Sequence, residues 1–457
     1  MTRLWDKGAP LDERVLRYTA GEDHALDNRL VAYDVKASIA HAEMLQAQGL
    51  LSQADLDAIR TGLTEIGAAH ARGEWQVRLE HEDGQTALEN LLTARIGEAG
   101  GRVHLGRSRN DQVLTALRLY LRDAIDELKE RTLAVAQSLD ELAARERDTA
   151  LPGYTHMQQA MPSSVPLWAG AFAAELRDDA EGLQSVQRRV SKSPLGSAAG
   201  YGTPNLPLDR NRSAKALGFA QVHEPVTAVQ LSRGKAEADL LFEITLIMQD
   251  VARMASDLLL FYTQEFAFVE LPAAFTTGSS IMPQKRNPDV FELIRGRSAT
   301  AQACLAEVLG IVAKLPSGYQ RDLQLIKAPL FRGIDMCLDT LGILVRPGLR
   351  GQIRQPLGFV GQPAARADGP LCGNVCRHFV EVGLRVLDEL GALIAQQPQE
   401  HFLGHVIQIG PSQAAVPGQV LAQRRAPLAK PGCQAPLGLC RAHHTAPGIR
   451  VGKDKTG

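Results

Sequence analysis

The sequence predicts a mainly α protein organised around a bundle of long helices, and three observations carry that expectation. Apolar residues recur in steps of three and four from Leu114 through Leu117, Leu121, Ala124 and Leu128, then at Val135, Leu139 and Leu142. A second run follows Leu240, Ile244, Ile247, Val251, Met254, Leu258 and Phe261. Over this length such steps give a seven-residue period, the mark of long helices packing nearly parallel. Strand signals are sparse throughout, and almost no proline interrupts either run. Stripes this long outrun what one chain covers, so self-association with closed symmetry is expected.

The chain opens Met-Thr-Arg-Leu-Trp-Asp-Lys, with charges where a signal peptide needs an apolar run. No stretch of about 18 uninterrupted apolar residues suggests a membrane span. At 457 residues, 45% hydrophobic and 22% charged, the chain has the composition of a globular protein with two or three domains. A formal net charge of -1 gives no reason to expect nucleic acid or a membrane surface as partner. Six scattered cysteines do not look like a disulfide framework, so a reducing, cytoplasmic home is expected.

Polar chemistry concentrates in the loops between helices. Gly106-Arg107-Ser108-Arg109-Asn110-Asp111 precedes the first long helix, with two guanidinium groups flanking a serine and Asp111 placed to cap the helix. Arginine grips carboxylates with two parallel hydrogen bonds, and a helix N-terminus adds oriented N–H donors. A solvated basic turn is the plainer alternative. Leu151-Pro152-Gly153-Tyr154-Thr155-His156 ends in two polar residues after a turn. A lone histidine there is more often structural than catalytic. Glu292 can orient an imidazole and raise its pKa, provided that the two meet in space.

The richest stretch is Thr276 to Glu292, which holds Gly278-Ser279-Ser280-Ile281-Met282-Pro283-Gln284-Lys285-Arg286-Asn287-Pro288. Gly278 is expected to let the backbone turn, and the prolines to stiffen the loop ends. Ser279 offers a hydroxyl, Lys285 a point charge and Asn287 both a donor and an acceptor. That set suits a carboxylate. Removing a proton from a carbon beside a carboxylate needs a base near that carbon and fixed positive groups around the developing dianion. A serine hydroxyl serves as base only where its ionised form is stabilised, by a cation such as Lys285 and by backbone donors.

From Arg346 onward the chain changes character. Basic residues outnumber acidic ones by 13 to 6, glycine and proline are dense, and four of the six cysteines fall there. Two readings stand: an irregular or poorly ordered C-terminal region, or a reading frame that shifts near Val345, the second being the better fit. Cys372, Cys376, Cys433, Cys440, His443 and His444 lack paired Cys-x-x-Cys spacing, so no zinc site is expected.

The block from Gly278 to Pro288 resembles the signature of the fumarase/aspartase superfamily, whose members release fumarate by elimination. With Gly106 to Gln112, Pro152 to His156, Pro194 to Ser197, Glu265 to Pro272 and Tyr319 to Lys327 in view, the chain is similar to the argininosuccinate lyase family, which includes the lens δ-crystallins. The resemblance runs from about Leu26 to Val345. It implies a central long-helix bundle over 106–345 that carries the signature loop, an N-terminal helical domain over 1–105, and an atypical region over 346–457.

The resemblance also implies roles. Ser279 would take the Cβ proton of the succinyl half, and His156 with Glu292 would assist proton transfer. Lys285 and Asn287 would hold the carboxylate that becomes the aci-carboxylate. Arg109, Asn110 and Thr155 would bind the succinyl portion; Tyr319, Gln324 and Lys327 would bind the rest. The implied reaction is cleavage of argininosuccinate to arginine and fumarate, the last step of arginine biosynthesis, with no metal or organic cofactor. A homotetramer with active sites shared between subunits is implied as well. Another fumarate-releasing lyase, or an inactive structural relative on the same bundle, are the alternatives. Departures from the pattern fall at Asp23, where a serine is common nearby, at Gln85, where histidine is common, and at Leu325 and Ile326, where acidic residues are common.

Overall fold

The computed structural model of the chain describes residues 12–345; the expectations for 346–457 lie outside them. Asp12 caps α1 (Glu13–Ala20) by accepting the Arg14 and Val15 amides, and the short α2 (Asp23–Leu26) follows. Next come α3 (Val31–Ala47), α4 (Gln53–Ala71), α5 (Gly84–Ile96) and α6 (Glu98–Arg102). Side-chain oxygens start two of these helices: Ser52 accepts the Asp55 N–H at 3.1 Å and Asp83 the Thr86 N–H at 2.8 Å. Leu45, Ile59, Leu63 and Leu92 fill a core among α3, α4 and α5.

The bundle begins with α7 (Arg109–Arg145), 37 residues without a glycine or proline. Ser108 is the N-cap, and Asp111, in the first turn, completes a capping box by accepting the Ser108 N–H at 2.9 Å. A hairpin of β1 (Ala150–Thr155) and β2 (Gln158–Ser164) then leads into α8 (Val165–Val190). Beyond it lie β3 (Lys192–Ser193), α9 (Arg210–Ala216) and β4 (Gln221–Val222), with β3 and β4 paired in parallel. The short α10 (Ala228–Leu231) precedes α11 (Lys235–Tyr262). A small antiparallel pair, β5 (Thr277–Gly278) and β6 (Arg286–Asn287), frames the signature loop. Helices α12 (Asp289–Val312) and α13 (Lys327–Leu344) complete the described residues.

Helix α8 lies along α7 and α11, α12 along α11, and α13 against all of α7, α11 and α12. Every position of the two apolar runs points inward, none more than 7% exposed. Burying one such leucine or isoleucine contributes about 1.5–3 kcal/mol, so the two runs alone specify which faces of α7 and α11 meet. Glycines allow the closest approaches. A Cβ at Gly333 of α13 would lie 2.4 Å from Leu241 Cδ2 of α11, so any side chain there would force that leucine to move. The bundle still leaves apolar surface uncovered: Leu231, Phe242 and Leu309 are 64%, 48% and 49% exposed, and border a groove of about 490 Å³ between α11 and α12.

Candidate active site

A polar cleft of about 110 Å³ opens where the N-terminal turn of α7, the α1–α2 corner and the start of α13 converge. Arg109, Asn110, Tyr319, Gln324 and Lys327, five of the residues singled out by sequence, all line it. Asp23, Glu82, Asp83, Arg233 and Arg321 line it too, and sequence reasoning assigned them no role at the site. The sequence signals for them were slight: Asp23 is a departure from the family pattern, and Arg321 lies within the Tyr319 to Lys327 stretch.

Lys327 is the most constrained of these groups. Its Nζ lies 2.6 Å from Asp27 Oδ1 and 2.9 Å from Asp23 Oδ1, and the residue is 1% exposed. Asp27 Oδ2 in turn accepts the Gly84 N–H at 3.0 Å. Burial disfavours the ammonium charge, but Asp27 and Asp23 outweigh it and hold the lysine above its ordinary pKa. Burial also pushes Asp23 up to about 7, against the pull of Lys327.

The other cations are held in the same way. Arg109 donates to Asp83 at 2.7 Å, and despite its burial Asp83 and Glu82 raise its pKa. Arg321 donates to Glu82 at 2.7 Å and to the Thr19 carbonyl at 2.9 Å. The Gln324 amide donates to the carbonyls of Thr19 and Ala20, and the Arg233 guanidinium lies 5.8 Å from the centre of the Tyr319 ring. Arg107, by contrast, does not face a ligand. It is sealed inside and donates to Ser38 Oγ at 2.9 Å, which corrects the expectation of two guanidinium groups at the helix mouth.

The remaining predicted residues lie elsewhere. Thr155 and His156 occupy the exposed tip of the β1–β2 hairpin, where Thr155 pairs with Gln158 and only His156 and Met157 form the loop. Both loop residues have positive φ, 52° and 58°, a left-handed conformation that costs a non-glycine residue energy. In the signature loop, Gly278 lies in β5 and needs no left-handed turn, contrary to the sequence expectation. The turn is made by the residues after it, and Ser279 Oγ accepts the amides of Ile281 at 3.3 Å and Met282 at 3.2 Å. Thr277 Oγ1 donates to Asp289, tying the loop base to the first turn of α12. Asn287 sits in β6, Lys285 is exposed, and Glu292 is exposed in that same first turn.

Ser279, Lys285, Asn287, Thr155, His156 and Glu292 therefore do not line the cleft, and among the described residues no ion pair joins His156 to Glu292. Two N–H donors on a serine oxygen are what its ionised form needs, since they hold the charge that appears once the proton leaves. The departures from the family pattern are also placed. Gln85 donates to Asp34 at 2.8 Å, with both side chains buried, while Leu325 is 62% exposed and Ile326 fully buried.

Comparison with known proteins sets the class first. A lyase family model matches residues 13–303. The argininosuccinate lyase of Sorangium cellulosum is 50% identical over 370 residues, which is 81% of this chain and 84% of that protein. The argininosuccinate lyase of Thermotoga neapolitana is 41% identical over 75% of this chain and 86% of its own length. Among solved structures, an EDDS lyase in complex with formate is 26% identical with a TM-score of 0.61, covering 76% of this chain and 69% of that one. A class II fumarase from Schistosoma mansoni, 19% identical with a TM-score of 0.62 over 74% of this chain and 81% of its own, has the same fold. The chain belongs to the lyase family, and within it to the argininosuccinate lyases. Among the described residues no helix is long and apolar enough to cross a membrane.

Proposed function

We propose that this chain cleaves argininosuccinate to arginine and fumarate by β-elimination, completing the synthesis of arginine. The observation that carries the reading is the polar cleft itself. Arg109, Arg233, Arg321 and Lys327 converge there with Asp23, Glu82 and Asp83 from segments far apart in sequence, and such a mixture of cations and carboxylates suits a substrate that carries both. In the proposed reaction Ser279 takes the proton from the succinyl Cβ. The electron pair moves onto the neighbouring carboxylate, which Lys285 and Asn287 stabilise as the aci-carboxylate. Its collapse forms the double bond of fumarate and breaks the carbon–nitrogen bond, and the departing guanidino nitrogen is protonated with help from His156, oriented by Glu292.

The two groups of residues stand apart within one subunit, so the complete site in this reading forms on association. A homotetramer is the expected assembly. Exposed Leu231, Phe242 and Leu309 beside the α11–α12 groove supply apolar surface for subunit contact. Ser279 and His156, on exposed loops, are then free to reach a neighbouring cleft. Incubating the purified chain with argininosuccinate and following fumarate by ultraviolet absorbance tests the reading. Fumarate should accumulate; none from a well-formed oligomer overturns the assignment.

A further inference from the structure

Three of the residues that line the cleft, Tyr319, Arg321 and Gln324, sit on the connection between α12 and α13, residues 313–326. A connection of this kind needs outside contacts to hold its side chains in one place. On one side it is tied to the end of α1, where Arg321 and Gln324 donate to the carbonyls of Thr19 and Ala20. On the other side it meets Arg233. This guanidinium donates from Nη2 to the Leu323 carbonyl at 3.3 Å and lies 5.8 Å from the centre of the Tyr319 ring. Arg233 is itself firmly seated. It is 5% exposed and precedes Gly234, the left-handed N-cap of α11 with φ 81°. A Cβ at Gly234 would lie 2.4 Å from Val312 Cγ1, so glycine lets the start of α11 close onto the helix that feeds the connection. Among the described residues Arg233 alone borders both spaces: the polar cleft of about 110 Å³ and the α11–α12 groove of about 490 Å³.

Resting on the proposed function, we propose that Arg233 is a positioning residue for substrate binding. It fixes residues 319–324 from the groove side, so that Tyr319 and Gln324 meet the substrate in a single arrangement. Arg233 acts through those residues and takes no part in proton transfer. In the proposed reaction they bind the substrate outside its succinyl portion, with contacts made alike in the ground and transition states. Loss of Arg233 therefore acts on KM rather than on kcat. The shape of the guanidinium matters as well as its charge. One edge serves the Leu323 carbonyl while the cation stays beside the Tyr319 ring, and a lysine ammonium keeps the charge without the fork.

The test combines hydrogen exchange on the full chain with fumarate release from argininosuccinate. Exchange reads the amides of Leu323 and Leu325, which are bonded to the carbonyls of Gln320 and Asp322. In Arg233→Met they should exchange about tenfold faster or more, the effect of losing one charge-assisted hydrogen bond, while the amides of α5 keep their protection. KM should rise by a similar factor, with kcat within about threefold of wild type. Arg233→Lys should fall between the two. A folded Arg233→Met with unchanged exchange at Leu323 and Leu325 overturns the proposal, whatever its turnover. Faster exchange with KM unchanged overturns it too, since that marks a role in stability only. Where Arg233→Met does not fold, Arg233→Lys decides: wild-type exchange and KM overturn the proposal, and intermediate values of both uphold it. A wild-type chain that releases no fumarate contradicts the proposed function, and the exchange comparison still decides the role of Arg233.

Discussion

Lys327 of α13 and Asp27, 300 residues apart in sequence, meet at 2.6 Å with both side chains shut off from solvent. This ion pair ties the segment after α2 to the last helix of the described bundle. Removing one partner of a buried pair strands the other's charge and costs about 3–5 kcal/mol. Asp27→Ala should therefore destabilise the protein by that order, and it also leaves the Gly84 amide without its acceptor. Denaturant unfolding of the variant measures it; a loss well under 1 kcal/mol would mean that the pair is not formed.

Asp111 serves a second junction. Its Oδ1 accepts the Ser108 amide, and its Oδ2 accepts the amides of Gly196 and Ala198, each at 2.9 Å. One fully buried carboxylate thus caps α7 and pins the loop after β3. Asp111→Ala should cost about 3–5 kcal/mol, from the lost cap and two orphaned N–H groups. Thermal unfolding together with amide exchange at Gly196 and Ala198 reads both effects, and unchanged protection at those amides would refute the pinning role.

The acidic face between α8 and α11 predicts a pH dependence. Burial pushes Asp179 up to about 7, helped by Asp250, Glu243, Asp178 and Glu175. The folded state therefore holds this proton more tightly than the unfolded state. The group's contribution to stability is complete below about pH 4 and is lost as pH rises through 7. Asp179→Asn removes that loss. The variant should be more stable than wild type at pH 8, by about 1–2 kcal/mol once solvent screening is allowed for, and the advantage should shrink toward pH 5. An advantage that grows on acidification would show that the sign is wrong.

Ser279 and His156 make separable predictions. Ser279→Ala should lower kcat by about a hundredfold or more, with the melting temperature unchanged, because its oxygen bonds only two amides of an exposed loop. His156→Asn should also abolish turnover without unfolding, since asparagine tolerates the left-handed conformation of the hairpin tip. Retained activity in either variant removes that residue from the reaction.

Much of the fold was legible because it depends on local periodicity. All fifteen positions of the two apolar runs are buried, since a seven-residue repeat without proline permits few other arrangements. The β1–β2 hairpin was not legible. Its two-residue loop is His156-Met157 rather than a glycine-bearing pair, so the usual turn signal is missing. Arg107 was misjudged for a related reason. Nothing in Gly106-Arg107-Ser108-Arg109-Asn110-Asp111 tells which guanidinium faces the core, or that Asp111 also accepts from Gly196, because Ser38 and Gly196 come from distant segments. The acidic side of the cleft was hidden for the same reason: Asp23, Asp27 and Lys327 form a unit only after the chain has folded back on itself.

Co-expression of two inactive chains examines whether the site is shared between subunits. One chain carries Ser279→Ala, and the other carries Asn110→Ala in the cleft. If a loop from one subunit completes the cleft of another, mixed oligomers contain some sites with both residues intact, and fumarate release from argininosuccinate should return. Oligomers shown to contain both chains yet as inactive as either parent would contradict the account.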